Sequence, residues 1–402
     1  MMGNAATMHR LQPTDARGVA EALRQADHEG RAVVLRGRGT KARWGAPPSR
    51  AGLVLSLTGL RQPIEHCAGD LTVTAPAGAT LGEVNAVLAE AGQWLPVDPW
   101  GGPESTVGGL LATNDSGPRR HRFGSPRDLV IGVEFALVDG RTARAGGRVV
   151  KNVAGYDLGR LLCGSFGALA AITAATFKLS PRPAASRTVV IDLPSREAFL
   201  AIHQAISQSP LTPTAVEVST PPPRFLVRFE TTADAADRQA AMLVGVVAAH
   251  GASATLLHGA AEAEIWTRHH ASMHPSPEST ETTALVRVNV VPLQVVDVLE
   301  RIDALATDTG LAARTTGRAM LGALYVSLNG SASSIASLVS ALRTSVSHDR
   351  GHVAVLDAPP AVHAAAPAWD DVGPAAAVMR AVKRQFDPRG TLCPGGGPGG
   401  VA

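Results

Sequence analysis

Three glycine-rich segments in the first half of the chain have the composition of anion-binding loops. They are Arg36–Thr40 (RGRGT), Gly101–Gly117 (GGPESTVGGLLATNDSG) and a third stretch from Lys151 to Gly167. Glycine permits backbone angles that a side chain forbids, so successive N–H groups in such a loop can surround a phosphate or a carboxylate. Because a helix terminus contributes only about 0.3 to 1 kcal/mol per charge, several converging amides are needed. These segments therefore predict a site for a phosphate-bearing cofactor.

The second and third segments also contain helix-capping residues. Thr106 can cap a short helix that begins with Val107–Gly109, whose small size would let a phosphate approach free backbone amides. Asp157 can cap a further helix that ends at Gly164. The alternatives are structural: a tight turn for the first segment, a packed loop between domains for the second, and an ordinary capped helix for the third.

The residues after the first segment exclude a nicotinamide-dinucleotide fold. In that fold the glycine turn opens directly into a helix, and an acidic residue ends the next strand about 20 residues later. Here Trp44–Pro48 (WGAPP) blocks a helix, and the next strand ends at Leu57 and Thr58. The first segment is therefore either an ordinary tight turn or part of another class of cofactor site.

Charge and metal-ligating residues exclude further classes of function. The chain has 37 basic and 34 acidic residues, and its net charge of +3 is too small and too dispersed for a nucleic-acid surface. The three cysteines are too few to ligate an iron–sulfur cluster and form no Cys-x-x-Cys motif. His270 and His274 have a metal-compatible spacing, but the next acidic residue, Glu278, lies beyond two prolines. We expect solvated or core histidines there and no metal site.

The sequence contains no pattern for export or membrane insertion. Met1–Gly18 carries charged side chains and lacks the apolar core of a secretory signal. Apolar runs fall short of the roughly 20 residues that a membrane-spanning helix needs. We therefore expect a cytoplasmic protein, peripheral to the inner membrane at most through partner subunits.

Apolar periodicity divides the chain into four segments. Residues 1–182 contain short buried strands and a helix with a capping box at Thr80. In residues 187–356, predicted strands and helices alternate. This order is typical of an antiparallel sheet of ferredoxin-like type that is covered by helices on one face. An Ala/Pro-rich linker, 357–374, leads to a C-terminal helix and a Gly/Pro-rich tail, 375–402.

Together these features resemble the FAD-binding domain of the vanillyl-alcohol oxidase or p-cresol methylhydroxylase family. The motifs that carry the resemblance, in order, are Arg36–Thr40, Thr106–Gly109 (TVGG), Gly155–Leu158 (GYDL), Gly164–Gly167 (GSFG) and Phe386–Gly390 (FDPRG). Within that family the chain is similar, over nearly its whole length, to the FAD-binding E subunits of bacterial glycolate oxidases. The segments most similar to that subgroup are Lys151–Leu158, Met320–Val326 and Gly351–His352.

The fold that this resemblance implies is α+β. It has a two-part FAD-binding domain of the p-cresol methylhydroxylase type, then a ferredoxin-like α+β cap domain, and a C-terminal tail that returns to the FAD-binding domain. FAD would be bound noncovalently, because the first loop lacks the histidine to which covalent relatives link their flavin.

The resemblance also implies a role for each glycine-rich segment. The first loop and the Thr106 helix would wrap the pyrophosphate, Asn114 and Gly117 would line the cofactor path, and the third segment with Ile172 would contact the ribityl chain and the adenine side. The implied cofactor-binding residues are Arg36, Gly37, Arg38, Gly39, Thr40, Thr106, Val107, Gly108, Gly109, Asn114, Gly117, Gly155, Asp157, Leu158, Gly164, Gly167 and Ile172.

A complex of several subunits is implied as well. This chain would be the FAD-binding subunit of a glycolate, or 2-hydroxy acid, oxidase or dehydrogenase, with a sister FAD-binding catalytic subunit and an iron–sulfur subunit as partners. It lacks the metal-binding motif His-x-Gly-Asp-Gly-Asn of the family members that oxidise hydroxy acids, and no catalytic residue is assigned. Two alternatives stay open: a free-standing FAD-dependent alcohol or 2-hydroxy acid oxidase, and a structural subunit with an empty flavin fold. Phe166 and Cys393, where the family commonly has Glu and Asn, motivate the latter.

Overall fold

A computed structural model gives the helices and strands of this chain. It describes residues 9–50, 52–147, 155–274, 282–346 and 351–397. Up to residue 182 the elements are β1 (His9–Leu11), α1 (Ala16–His28), β2 (Val33–Arg36), β3 (Leu53–Ser56), β4 (Glu65–Cys67), β5 (Thr72–Pro76), α2 (Leu81–Ala89), β6 (Gln93–Trp94), α3 (Val107–Thr113), α4 (Arg120–Phe123), α5 (Pro126–Leu129), β7 (Val130–Ala136), β8 (Thr142–Gly146), α6 (Leu158–Leu162), β9 (Ala171–Lys178) and β10 (Ser180–Pro181). The later elements are β11 (Ala185–Asp192), α7 (Arg196–Gln208), β12 (Ala215–Thr220), β13 (Arg224–Thr231), α8 (Ala233–Ala249), β14 (Ala254–Leu257), α9 (Gly259–Ser272), β15 (Thr282–Val290), α10 (Val295–Thr309), β16 (Ala312–Arg318), β17 (Ala323–Gly330), α11 (Ala332–Ser345), β18 (Gly351–Asp357), α12 (Pro360–Ala365) and α13 (Ala375–Phe386).

These elements group into two units. The first comprises Met1–Gly117, Gly124–Arg182 and Asp371–Ala402, and the second comprises Pro118–Phe123 and Pro183–Asp370. Each unit has a hydrophobic core of its own. Within the described ranges, no helix has both the length and the apolar character that crossing a bilayer requires.

The first unit contains a small parallel sheet of order β1-β3-β2 and an antiparallel sheet of order β4-β5-β9-β7-β8. The predicted capping box of α2 is confirmed. Thr80 Oγ1 accepts the Glu83 N–H at 3.1 Å, and the Glu83 carboxylate accepts the Thr80 N–H at 2.8 Å. Two of the donors that a helix leaves unused at its start are thereby satisfied, which fixes the beginning of α2.

The C-terminal tail lies against β2, so the predicted return to the FAD-binding domain is confirmed. Val33 donates its N–H to the carbonyl of Thr391 at 2.7 Å, and its own carbonyl accepts the Cys393 N–H at 2.9 Å. Leu392, between them, forms a parallel bridge with Val33. The tail therefore continues the small parallel sheet.

A buried ion pair anchors this tail. Lys383 Nζ lies 2.6 Å from Asp387 and donates to the carbonyls of Ala168 at 2.7 Å and Leu392 at 2.8 Å. The Asp387 carboxylate also accepts the N–H groups of Thr391 at 2.8 Å and Leu392 at 2.7 Å. Since both side chains are shielded from solvent, with exposures of 7% and 0%, each charge depends on the other.

The second unit contains one eight-stranded antiparallel sheet of order β14-β11-β13-β12-β16-β17-β15-β18. The series β11-α7-β12-β13-α8-β14 and β15-α10-β16-β17-α11-β18 repeat the same ferredoxin-like order and join at β12 and β16. The predicted ferredoxin-like type is thus confirmed, and it occurs twice. The sequence analysis missed β14 and β16 because the first is an exposed edge strand and the second (AARTTGR) lacks apolar alternation.

Helices cover both faces of this sheet, where the sequence predicted one. Val216 and Val326 belong to the large core that also includes residues of α7, α8, α10 and α11. On the opposite face, α9 places Trp266 in a small cluster with Ala215 and Leu226. Side chains alternate between the two faces along each strand, so polar residues on the α9 side can be buried as well.

Two segments differ from the predicted organisation. Within the stretch expected to be a linker, Val362 of α12 and Ala366 are buried in the core of the second unit. Pro118–Phe123 interrupts the sequence of the first unit and belongs to the second, within which Arg119 donates to Glu230 at 3.1 and 2.8 Å. Burial alone would raise the pKa of Glu230, but the Arg119 guanidinium holds it below its ordinary value.

We predict that Asp387→Ala lowers the free energy of unfolding by about 3 to 5 kcal/mol, because it leaves the Lys383 ammonium buried and unpaired. Urea unfolding followed by circular dichroism measures the loss. The matched control is Arg384→Ala, which removes a charge from the exposed face of α13 and should change stability by no more than about 0.5 kcal/mol. Equal losses in both variants would contradict the anchoring role.

Candidate functional site

The first two glycine-rich loops lie against each other within the first unit, as the sequence predicts. A Cβ at Gly37 would collide with the hydroxyl of Thr106 and lie 3.2 Å from its Cβ. A Cβ at Gly101 would lie 2.6 Å from that of Thr40. Side chains at these positions would force the loops apart, so glycine is required for their close approach.

The first loop presents unused hydrogen-bond donors. The backbone N–H groups of Arg38, Gly39 and Thr40 have no hydrogen-bond partner among the residues described. Gly39 has a φ of +83°, and the Arg36 guanidinium folds over it, so that a Cβ there would lie 2.9 Å from Nη2. Consecutive free amides beside a guanidinium are the donor set that a phosphate group requires.

The expectation of free amides at the start of α3 is wrong. Val107 donates its N–H to the carbonyl of Ala79 at 2.9 Å, and Gly108 donates to Ala77 at 3.0 Å. The segment that leads into α2 forms an antiparallel bridge with the start of α3, and its carbonyl groups accept these N–H groups. Gly108 instead permits close packing, because a Cβ there would lie 3.0 Å from that of Ala77. The helix dipole of α3 can still stabilise an anion near its N-terminus, by about 0.3 to 1 kcal/mol per charge.

A buried ion pair, which the sequence analysis missed, joins the two loops. Lys41 Nζ lies 3.1 Å from Asp115 Oδ2 and 3.3 Å from Ser105 Oγ. The two side chains are 4% and 1% exposed. Asp115 also accepts the N–H of Trp100 at 2.8 Å, and the Lys41 ammonium lies 5.9 Å from the Trp44 ring. The rarity of lysine could have drawn attention to Lys41. The chain has only four lysines, at positions 41, 151, 178 and 383, among its 37 basic residues.

The third glycine-rich segment reaches the other two through its second half. Phe166 donates its N–H to the carbonyl of Ala112 in α3 at 2.8 Å. A Cβ at Gly167 would lie 3.2 Å from the side chain of Leu35, next to the first loop. Gly164 and Phe166 adopt positive φ values of 84° and 54°. These turns bring Gly164–Gly167 beside both the first loop and α3.

Asn114 and Gly117 shape the loop that follows α3. Asn114 ends the helix with a φ of 48°, and its Oδ1 accepts the Arg127 N–H at 3.2 Å and the Cys163 thiol at 3.4 Å. Burial raises the pKa of Cys163 to about 12, so the thiol keeps its proton at neutral pH. A Cβ at Gly117 would collide with the carbonyl of Asp98. Both residues therefore hold the loop through internal contacts.

The remaining site residues lie in two other places. Asp157 caps α6 as predicted, accepting the Arg160 N–H at 3.0 Å, and α6 packs on β7 and β8. Ile172 is 5% exposed and pairs with Phe135 in the sheet, so its side chain belongs to the core of the first unit. Lys151–Ala154, which contributed to the resemblance, lies outside the described residues.

The first unit is similar in sequence to known flavin-binding proteins. Residues 9–146 match the family model for the FAD binding domain. Glycolate oxidase subunit GlcE of Escherichia coli (strain K12) is 37% identical over 190 residues, which are 47% of this chain and 54% of that protein. D-lactate dehydrogenase of Archaeoglobus fulgidus is 35% identical over 46% of this chain and 42% of its own length. Glycolate oxidase subunit GlcD of Bacillus subtilis (strain 168) is 40% identical over 39% of this chain and 34% of its own length.

A solved structure shows the fold over nearly the whole chain. Alkyldihydroxyacetonephosphate synthase superposes with a TM-score of 0.71 over 96% of this chain and 76% of that chain, at 15% identity. The fold predicted from the motifs is therefore confirmed. The chain spans about half, or less, of the length of the curated relatives that it matches.

We predict that Gly37→Ala weakens FAD binding by about tenfold or more, because overpacking against Thr106 costs about 1 to 3 kcal/mol. The matched control is Gly69→Ala, where a Cβ has open space and φ is not positive. Fluorescence titration with FAD measures both affinities. Wild-type affinity in the Gly37 variant would show that the loops can separate without harm to the site.

Lys41→Met is predicted to lower both thermal stability and the FAD content of the purified protein. The substitution leaves the Asp115 carboxylate buried without its cation, at a cost of about 3 to 5 kcal/mol. Lys178→Met removes the same charge from β9 and should retain normal FAD content. Unchanged melting temperature and FAD content in the Lys41 variant would refute a structural role for the ion pair.

Proposed function

We propose that this chain is the FAD-binding subunit of a multi-subunit glycolate, or 2-hydroxy acid, oxidase or dehydrogenase, and that it binds FAD noncovalently. The observation that carries the proposal is the set of unused amides at Arg38–Thr40, held against α3 by Lys41 and Asp115. This set lies within the segment that matches the FAD binding domain. The Escherichia coli relative, glycolate oxidase subunit GlcE, suggests the substrate class.

The residues of the first unit fit the diphosphate of FAD. The loop amides and the Arg36 guanidinium provide donors and a positive charge, while Lys41 is already committed to Asp115. Glycine at positions 37 and 39 keeps side chains away from these donors. The remaining proposed FAD contacts are Thr106, Val107, Gly108, Gly109, Asn114, Gly117, Gly155, Asp157, Leu158, Gly164, Gly167 and Ile172. Bound FAD supplies an acceptor for a hydride.

Partner subunits are part of the proposal. With three cysteines in the sequence, this chain cannot supply four thiolates to a cluster, so an iron–sulfur partner would carry the electrons onward. The hydroxy acid would be oxidised on a sister FAD-binding subunit. The complex would lie in the cytoplasm or on the inner face of the inner membrane.

A free-standing FAD-dependent oxidase or dehydrogenase is the second candidate. The match to a D-lactate dehydrogenase, at 35% identity, favours it. Such an enzyme needs a base for the hydroxyl proton within this chain. His269 is already hydrogen-bonded to Glu217 at 3.0 Å, which leaves it less suited to that task.

Purification and reconstitution test the proposal. We expect the isolated chain to be yellow, with a flavin band near about 450 nm, and to release its flavin on acid precipitation. Glycolate-dependent dye reduction should be negligible for the chain alone and restored when the sister and iron–sulfur subunits are co-expressed. Full activity of the chain alone would establish the free-standing enzyme, and a colourless protein would establish an empty flavin fold.

A further inference from the structure

A cavity of about 290 Å³ lies in the first unit, beside the exposed edge strand β8. Its walls are formed by residues of α1, β7, β8 and β9. The residues proposed above to contact FAD do not line it. Its volume is at the lower end of the roughly 300 to 1,000 Å³ that ligand pockets span, so the cavity suits a small molecule.

Two opposite charges line this cavity without pairing. Glu134 of β7 and Arg144 of β8 lie directly opposite each other in the sheet. Residues paired in this way have Cβ atoms about 4.5 to 5.5 Å apart, which is close enough for an ion pair. Yet neither side chain forms an ion pair or a hydrogen bond with any residue that the structure describes. Both charges are therefore available to a ligand.

A β-bulge contributes a third polar group to the cavity. Ala174 of β9 pairs with Glu134, and the next pair along the strands is Ile172 with Phe135. Thr173 is thus an extra residue on β9, and β-bulges often re-aim side chains beside binding sites. Thr173 lines the cavity and is 5% exposed, but its hydroxyl makes no hydrogen bond within the described ranges. Because a shielded hydroxyl without a partner costs free energy, a ligand group would stabilise it.

The other walls define where each part of a ligand would lie. Phe135 and Ala16, the first residue of α1, supply apolar surface. The start of α1 is not the anion site, because the Asp15 carboxylate already accepts the Gly18 N–H there at 2.7 Å. Among the lining residues, Arg144 is the one cation and Glu134 the one anion, so their charges sum to zero.

We propose that this cavity binds a small zwitterion of the α-amino acid class. The Arg144 guanidinium binds the ligand carboxylate, to which the Thr173 hydroxyl also donates, and the Glu134 carboxylate binds the ligand ammonium. A small apolar side chain packs against Phe135. Because the lining carries one charge of each sign, a zwitterion matches it better than a monocarboxylate, an amine or a phosphate. The site goes beyond the proposed function and does not depend on it.

Isothermal titration calorimetry of the FAD-loaded full chain tests the site with three small probes. We expect L-alanine to bind, and sodium propionate and ethylamine, which each lack one of its two charges, to bind at least about tenfold more weakly. Arg144→Gln and Glu134→Gln should each weaken the binding of L-alanine about 10- to 100-fold. The matched control is Arg301→Gln, which removes a charge from an exposed position on α10 and should retain wild-type affinity.

Thermal melting separates ligand binding from a structural role. Both variants should keep the wild-type melting temperature without ligand, because Glu134 and Arg144 are exposed and lose no contact to a described residue. They should also lose the stabilisation that L-alanine gives wild-type protein. Absence of L-alanine binding to wild type, equal affinity for propionate, or wild-type affinity in the Arg144 variant would overturn the proposal. Flavin absorbance of the same samples reports FAD binding, so failure of the proposed function is detected separately.

Discussion

The buried ion pair between Lys41 and Asp115 is the contact on which the candidate FAD site depends. Both side chains are almost wholly shielded from solvent, so neither loop can move away without leaving a charge unpaired at a cost of several kcal/mol. The contact between Gly37 and Thr106 sets how closely the two loops approach. Together they hold the free amides of Arg38–Thr40 beside the N-terminus of α3, which favours an anion there.

Local sequence determines much of this arrangement, and long-range pairing determines the rest. The capping box of α2 and the glycine turns could be predicted because each depends on residues within a few positions of one another. The bonding of the α3 amides to Ala77 and Ala79 could not, since it depends on a bridge between segments about 30 residues apart in the chain. The local sequence pattern also does not show that Lys41 and Asp115 form an ion pair. The two residues are 74 positions apart in the chain, and only the folded structure brings them together.

The second unit illustrates the same limit. Its ferredoxin-like character follows from alternating strands and helices. However, β16 is too polar to be predicted as a strand from the sequence. Without β16, neither the second copy of the repeat nor its pairing with β12 can be predicted. The pairing of Arg287 in β15 with Tyr325 in β17 depends on strand register, which a sequence does not specify for strands joined by long connections. Buried polar residues were therefore the least predictable part of the molecule.

Site-resolved amide hydrogen exchange, compared between the FAD-free and FAD-bound chain, tests the central claim most directly. We predict that FAD binding slows exchange at Arg38, Gly39 and Thr40, whose N–H groups have no hydrogen-bond partner in the described parts of the chain. Exchange at Val107 and Gly108 should change little, because their N–H groups already donate to Ala79 and Ala77. Unchanged exchange in the first loop, with new protection confined to the start of α3, would contradict the proposed diphosphate site.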